Sequence, residues 1–364
     1  MFSDEDYMRE ALRVARFADG RTSPNPLVGA VIVNNNRIIA TGWHRRAGTE
    51  HAEIHAINMA GELAAGAVLY VTLEPCSYYG KMPPCVPAII KSGIKRVVMA
   101  MIDPNPRVSG MGRKLLEEAG IEVTCGVLEK EARQLNEAFI KWVTTGIPFV
   151  TLKTAMTLDG KIATVSKKSQ WITNEKSREK VYELRDCSDG ILVGIGTVIA
   201  DNPSLTARIS GRASKNPVRI VVDSNADMPV DSKIMTDKLA PVIIAVTASA
   251  SEKRIELLRK AGAEVIAVND GRRVDVQKLL AILGKKNITS VLVEGGGEIN
   301  YSFLEQKLAD KMYAFISPKI FGGREALSPV EGAGVSEVSD AFFLHNTSLE
   351  SFDDDICICG YFGK

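Results

Sequence analysis

A chain of 364 residues is longer than one hydrophobic core usually serves, so two domains are expected. Its 45% hydrophobic and 24% charged residues, with interspersed signs and a formal net charge of +1, are globular in character and leave no electrostatic footprint for nucleic acid. The opening MFSDEDYMREALRVARF lacks the basic and apolar regions of a signal peptide, no 18-residue apolar run appears that could span a membrane, and six cysteines without an export signal predict reduced thiols in a cytoplasm.

Ser3 is placed to cap a first helix, with Asp6 three residues on and Met8, Ala11, Leu12 and Ala15 at helical spacing. NPLVGAVIVNNNRIIATGWH predicts two strands joined by a turn over residues 34–36. EHAEIHAINMAGEL reads as a helix, GAVLYVTLEPC as a buried strand, and CVPAIIKSG as a short helix with Gly93 past its end. A strand (KRVVMAMIDPNP), a helix (GRKLLEEAG) and a last strand (IEVTCGVL) follow, and this alternation predicts a three-layer α/β domain. The pattern weakens at KWVTTGIPF, where Gly146 and Pro148 mark a boundary between domains 1–146 and 147–364.

Beyond it, PFVTLKTAMTLDGKIA opens with a strand and runs to the Asp159-Gly160 turn. In RDCSDGILVGIGTVIADNPSLTAR an apolar strand meets Gly194 and Gly196, then a loop through Asp201 and Pro203. PVRIVVDS and PVIIAVT are further strands, and RIELLRKAGAEVIAV reads helix, turn, strand. ITSVLVEGGGEINYSFLEQ is a strand, three glycines and a helix, whose first backbone N–H groups could bind phosphate or simply close a tight turn. The glycine spacing fits neither a dinucleotide fingerprint nor a P-loop.

The chemistry gathers around TLEPCSYYGKMPPC, Thr72 to Cys85. Three prolines and a glycine make this loop rigid, so Cys76 and Cys85 can be held at one point. His51, upstream in HAEIHA, completes a zinc-type donor set that leaves a fourth position open, as a catalytic zinc requires. Glu53, two residues on, is placed to move protons rather than to bind metal. Zinc makes water a nucleophile near neutral pH, and H-x-E followed by P-C and a second cysteine is the zinc deaminase arrangement. The bland alternatives are a satisfied helix histidine, inert buried thiols, and a closed structural zinc site using His44 or His55. The other cysteines read as packing: Cys125 in a strand, Cys187 after a helix, Cys357 and Cys359 on one face of the last strand.

Eight residues separate Cys76 from Cys85, where nucleoside and nucleic-acid deaminases normally have two. This longer form, with SPNPLVGAV, GWHRRAGTEHAE and TLEPC, resembles the deaminase half of the bifunctional riboflavin-biosynthesis family, RibD. The resemblance implies a cytidine-deaminase-like fold, deamination of a diaminopyrimidinone carrying a ribosylamino phosphate, and contacts to that substrate from Asn25, His44 and Lys81. Without it, those three read as a turn asparagine, a surface histidine and a solvated lysine. Tyr78 and Met82 stand where the family usually has His and Thr.

LKTAMTLDGKIA, SQWIT, GTVIADNPSLTAR and the glycine triplet are similar to the reductase half of the same family, in the same order. That resemblance implies a dihydrofolate-reductase-like fold and NADPH, held by Ala155, Trp171, Thr197, Asp201, Ser224, Gly296, Gly297, Glu298, Ile299, Asn300, Tyr301 and Ser302. It also implies substrate contacts from Ser169, Leu205, Arg208 and Glu294, with Arg208 on the phosphate and Lys153 beside the reacting ribose. Taken alone, Trp171 and Leu205 read as core, and Lys153 and Arg208 as solvated charges. The expectation is a cytoplasmic homo-oligomeric enzyme acting on small molecules, with no nucleic-acid or membrane partner. The alternatives are a zinc deaminase of another aminopyrimidine fused to an unrelated reductase, and a nucleotide sensor with a structural zinc.

Overall fold

Ser3 opens the first helix as a capping box: its hydroxyl accepts from the Asp6 N–H at 3.3 Å and its own N–H donates to the Asp6 carboxylate at 2.8 Å. This is a computed structural model describing residues 2–80, 82–106 and 108–363. The chain divides into two compact units, one up to Ile147 and one from Pro148 on.

The first unit runs α1 (Asp4–Ala15), β1 (Gly29–Asn34), β2 (Arg37–Trp43), α2 (Ala52–Ala60), β3 (Val68–Val71), α3 (Cys85–Lys91), β4 (Arg96–Met99), α4 (Met111–Glu118), β5 (Glu122–Cys125), α5 (Glu129–Leu135) and α6 (Glu137–Thr145). Its five strands lie in the order β2-β1-β3-β4-β5, with β2 and β3 antiparallel to β1 and the rest parallel. Strand alternation sorts the apolar residues onto two faces. Ala30, Ile32, Leu69, Val71, Val97 and Met99 pack with α2, α3 and α4, whereas Val31, Val33, Tyr70 and Val98 pack with α1, α5 and α6. Three layers result. On β2, Gly42 lets α2 lie close, since a Cβ there would stand 2.2 Å from the Ala52 carbonyl oxygen. The first turn of α2, with Glu53, is therefore fixed against the sheet.

Several boundaries differ from the sequence reading. β3 stops at Val71, because the prolines that follow cannot pair, and residues 72–80 and 82–84 are loop. His51 is the N-cap of α2, in extended conformation, rather than a residue within it. The weakened pattern at KWVTTGIPF is the last turn of α6, closed by Gly146 at φ 73°, whose N–H reaches the Trp142 carbonyl at 2.8 Å.

The second unit contains β6 (Phe149–Thr157), α7 (Glu175–Cys187), β7 (Gly190–Gly194), α8 (Ile195–Asp201), β8 (Val218–Val222), α9 (Lys233–Thr236), β9 (Val242–Thr247), α10 (Glu252–Lys260), β10 (Glu264–Asn269), α11 (Val276–Lys285), β11 (Ser290–Val293), α12 (Gly297–Glu305), β12 (Lys311–Ser317), β13 (Leu344–Phe352) and β14 (Asp355–Phe362). Its nine strands lie in the order β10-β9-β8-β7-β11-β6-β12-β14-β13; β10 through β12 are parallel and the final hairpin is antiparallel. Every residue of β7 and β9 is buried, as expected of central parallel strands covered on both faces. Cys357 is buried on β14 opposite Phe315, and none of the six cysteines is in a disulfide. No helix among the described residues is long and apolar enough to cross a membrane.

Candidate active sites

In the first unit the rigid loop folds back on itself. The Cys85 and Val86 N–H groups both donate to the Cys76 carbonyl, at 3.0 and 3.2 Å, so α3 starts where the loop began. His51 Nδ1 then stands 3.3 Å from each of Cys76 Sγ and Cys85 Sγ. A tetrahedral zinc bonded at about 2.0–2.3 Å would hold such donors roughly 3.5 Å apart, so the set fits that ion in both chemistry and spacing. Among the described residues this is the one group of three or more metal-type side chains that converges. His44 and His55 do not join it. The His44 nitrogens are taken by Asn25 Nδ2 at 3.1 Å and the Glu50 carbonyl at 3.2 Å, and His55 faces the Glu50 carboxylate at 3.7 Å. The fourth position required by a closed site has no protein candidate among these histidines.

Glu53 is 3% exposed and hydrogen-bonds Cys85. Burial, reinforced by the negative Cys76 sulfur, raises its pKa to about 7. The Cys76 thiol is pushed down to about 5 by hydrogen bonds from Cys85 and His51, while sharing with Cys76 pushes Cys85 up. His51 is raised by its bond to Cys76. One sulfur is thus already a ready donor, and one carboxyl is poised to exchange protons near neutral pH.

Asn25 and His44 meet at this site as a hydrogen-bonded pair. His44 is 2% exposed, so the reading of a surface histidine is corrected; burial also lowers its pKa. Lys81 lies outside the described residues. Tyr78 is half exposed beside Asp103, whose pKa burial raises to about 6. Sequence reasoning passed over Glu74, next to the Pro75-Cys76 pair. Its buried carboxylate accepts from the N–H groups of Asp103 (3.0 Å), Gly110 (2.9 Å) and Arg113 (3.0 Å). It caps α4, whose own N-cap, Gly110, has no side chain to do so.

In the second unit β8, β7, β11 and β6 are neighbours, so residues far apart in sequence collect at their carboxyl ends. Ser224 follows β8, Thr197 lies in α8 after β7, and Gly296 caps α12 after β11. A Cβ on Gly296 would be 3.8 Å from Thr197 Oγ1, and one on either Gly194 or Gly295 would press Ile299 at 2.9 Å, so α8 and α12 begin side by side. Ser169 Oγ donates to Asp201 at 2.7 Å. Within α12, Asn300 is buried and donates to the Pro329 carbonyl at 2.7 Å, and Ser302 donates back to the Glu298 carbonyl. Glu298 pairs with Arg273 at 3.2 Å, and the Tyr301 hydroxyl reaches the Gly334 carbonyl at 3.2 Å.

Glu294 is the electrostatic centre of this unit. It binds Arg185 through two contacts, 2.7 and 2.9 Å, and Lys153 Nζ stands 3.6 Å away. Burial opposes its charge, but Arg185 and Lys153 prevail and hold it at about 2. The Lys153 side chain is only 15% exposed rather than solvated, and desolvation lowers its pKa despite the attraction of Glu294. Ala155 lies on the same face of β6. Arg208 is exposed, as its charge suggests, and it shares the Tyr182 ring with Arg185 at 5.6 and 5.7 Å. Leu205 is core, whereas Trp171 is 60% exposed, with Arg178 stacked 4.7 Å from its ring centre. Arg185 was missed because its partner is 109 residues away.

Residues 1–101 match the cytidine and deoxycytidylate deaminase zinc-binding region, and residues 148–358 match the RibD C-terminal domain. With the geometry above, these define a zinc-dependent deaminase that carries a reductase of the NADPH-dependent type on the same chain. The likeness extends over nearly the full length. RibD of Bacillus amyloliquefaciens is 45% identical over 97% of this chain and 95% of that one; RibD of Escherichia coli K12 is 39% identical over 98% of each. The structure of Acinetobacter baumannii RibD superposes with a TM-score of 0.90 at 34% identity, covering 99% of both chains. A Thermotoga maritima structure, described as a diaminohydroxyphosphoribosylaminopyrimidine deaminase/5-amino-6-(5-phosphoribosylamino)uracil reductase, does so at 0.87 and 40%, also over 99% of each. The chain belongs to the RibD family of riboflavin biosynthesis proteins, and it is a bifunctional deaminase and reductase.

Proposed function

We propose that the first unit deaminates the phosphoribosylamino-diaminopyrimidine for which the Thermotoga relative is named, and that the second reduces the ribosyl chain of the product to ribityl. The observation that carries this reading is the convergence of His51, Cys76 and Cys85 beside buried Glu53. Those three residues would hold zinc, which when bound would acidify water and so supply the nucleophile. Glu53 takes a proton from the attacking water and passes it to the departing amino nitrogen, a transfer suited to a carboxyl that titrates near 7. Asn25, His44 and Lys81 recognise the substrate.

In the second unit Ala155, Trp171, Thr197, Asp201, Ser224 and residues 296–302 hold NADPH. Ser169, Leu205, Arg208 and Glu294 hold the substrate, with Lys153 beside the ribose. Arg185 joins them, because its guanidinium grips both oxygens of the Glu294 carboxylate. A cytoplasmic homo-oligomer without nucleic-acid or membrane partners completes the reading; a net charge of +1 and six cysteines outside disulfides suit it. The test is to incubate purified protein with the diaminopyrimidine phosphate, with and without NADPH, and to identify products by mass. Ammonia and the deaminated ribosyl compound are expected without NADPH, and the ribityl compound with it. Release of ammonia only from a different aminopyrimidine would sink the substrate assignment.

A further inference from the structure

Asn136 stands between α5 and α6, in the part of the first unit beyond the matched zinc-binding region. It is 3% exposed. Its amide oxygen accepts from the Leu27 N–H at 2.8 Å, and its amide nitrogen donates to the Leu27 carbonyl at 2.9 Å. A primary amide can satisfy both backbone groups of one residue, as a neighbouring strand would, and here it pins a loop from across 109 residues.

Two residues before Leu27, the Asn25 amide meets His44. The Glu50 carbonyl on the other side of the ring can only accept, so His44 Nδ1 carries the proton and Nε2 accepts from Asn25 Nδ2. That bond fixes which way the Asn25 amide is turned, and leaves its oxygen as the acceptor for a ligand. Glu50 in turn precedes His51. One continuous set of hydrogen bonds and peptide links therefore joins the α5–α6 junction to the metal-type cluster.

We propose that Asn136 is a positioning residue of the deaminase: it seats the Asn25 segment so that Asn25 offers its amide oxygen to an N–H or amino group of the pyrimidine. This rests on the reading of Asn25 as a substrate contact. α5 and α6 thus become part of the deaminase site rather than a spacer after it.

A double-mutant cycle tests this. Asn136→Asp is nearly isosteric and still accepts from the Leu27 N–H, but as a carboxylate it has nothing to donate to the Leu27 carbonyl. KM for deamination should rise about five- to tenfold with kcat within about twofold, as expected when one buried hydrogen bond that orients a binding group is lost. Zinc content and NADPH oxidation with deaminated substrate should match the wild type. In an Asn25→Ala background, where KM is already raised, Asn136→Asp should add less than about twofold, because it acts through Asn25. An unchanged KM in the single mutant, or the same rise in both backgrounds, overturns the proposal. Asn25→Ala with wild-type KM removes Asn25 as a contact and the proposal with it, whereas a wild type that does not deaminate the substrate removes the functional reading itself. If Asn136→Asp loses zinc, Asn136→Ser cuts both bonds without placing a charge in the core and is read in the same cycle.

Discussion

Glu53 is buried and the Glu294 side chain is only 8% exposed, yet one titrates near 7 and the other near 2. The difference lies in the neighbours. Burial and the negative Cys76 sulfur favour the protonated form of Glu53, and the attraction of His51 with hydrogen bonds from backbone N–H and Cys85 only partly opposes them. Glu294 is clamped by the Arg185 guanidinium with Lys153 alongside, so its charge is matched within 3.6 Å. A carboxyl that is to carry protons must sit near the working pH, while one that is to orient cations must stay ionised. On the proposed function, the same side chain is thus tuned to opposite tasks on one chain.

The largest effect is expected from removing a metal-type ligand. Cys85→Ser should lose zinc and deamination together, with NADPH-dependent reduction of deaminated substrate intact; full zinc with normal activity would take Cys85 out of the site. Next comes Glu53→Gln, which keeps shape but cannot carry a proton. Deamination should fall by about 10²–10⁴-fold while zinc stays bound and reduction proceeds at the native rate. Loss of reduction in a folded Glu53→Gln protein would contradict two separate sites. Lys153→Ala is the mirror experiment. NADPH oxidation should fall by about 10²-fold, the scale of one missing electrostatic partner, with ammonia release unchanged.

Smaller effects sharpen the contrast through pH. The folded pKa of Glu294 is depressed below the ordinary 4.5, so its paired form stabilises the second unit above that value, and the gain is lost as pH falls from 4.5 through about 2. Glu53 carries the opposite sign in metal-free protein. Its raised pKa favours folding below 4.5, and that gain is lost as pH rises through about 7. Calorimetry of wild type against Glu294→Gln and against Glu53→Gln should therefore give stability differences that move in opposite directions across these windows; parallel slopes would refute the assignment. The smallest change expected is at Tyr78, which is half exposed at the loop. Tyr78→His should shift KM modestly and leave turnover nearly intact. A hundredfold gain in turnover, about 2.7 kcal/mol of barrier, would mean that the tyrosine impairs the native enzyme.

The metal-type triad was legible in sequence because its signals are local. Prolines stiffen the loop between Cys76 and Cys85, and His51 and Glu53 sit two residues apart, so spacing alone carries the chemistry. The three layers of the first unit follow likewise from alternating strands and helical periodicity. Side-chain environment was not legible. His44 is buried rather than superficial, Trp171 is exposed rather than core, and Lys153 is desolvated rather than free in water. Each depends on which elements pack over it, and no local pattern specifies that. The partners that set the electrostatics and hold the loops are equally distant. Arg185 meets Glu294, and Asn136 meets Leu27, each across 109 residues, and Glu74 gathers three N–H groups from 29 to 39 residues away. Sequence by itself determined the donor set, the order of elements and the family; tertiary structure alone decided burial and long-range pairing, because desolvation and hydrogen-bond partners exist only once the chain has brought distant segments together.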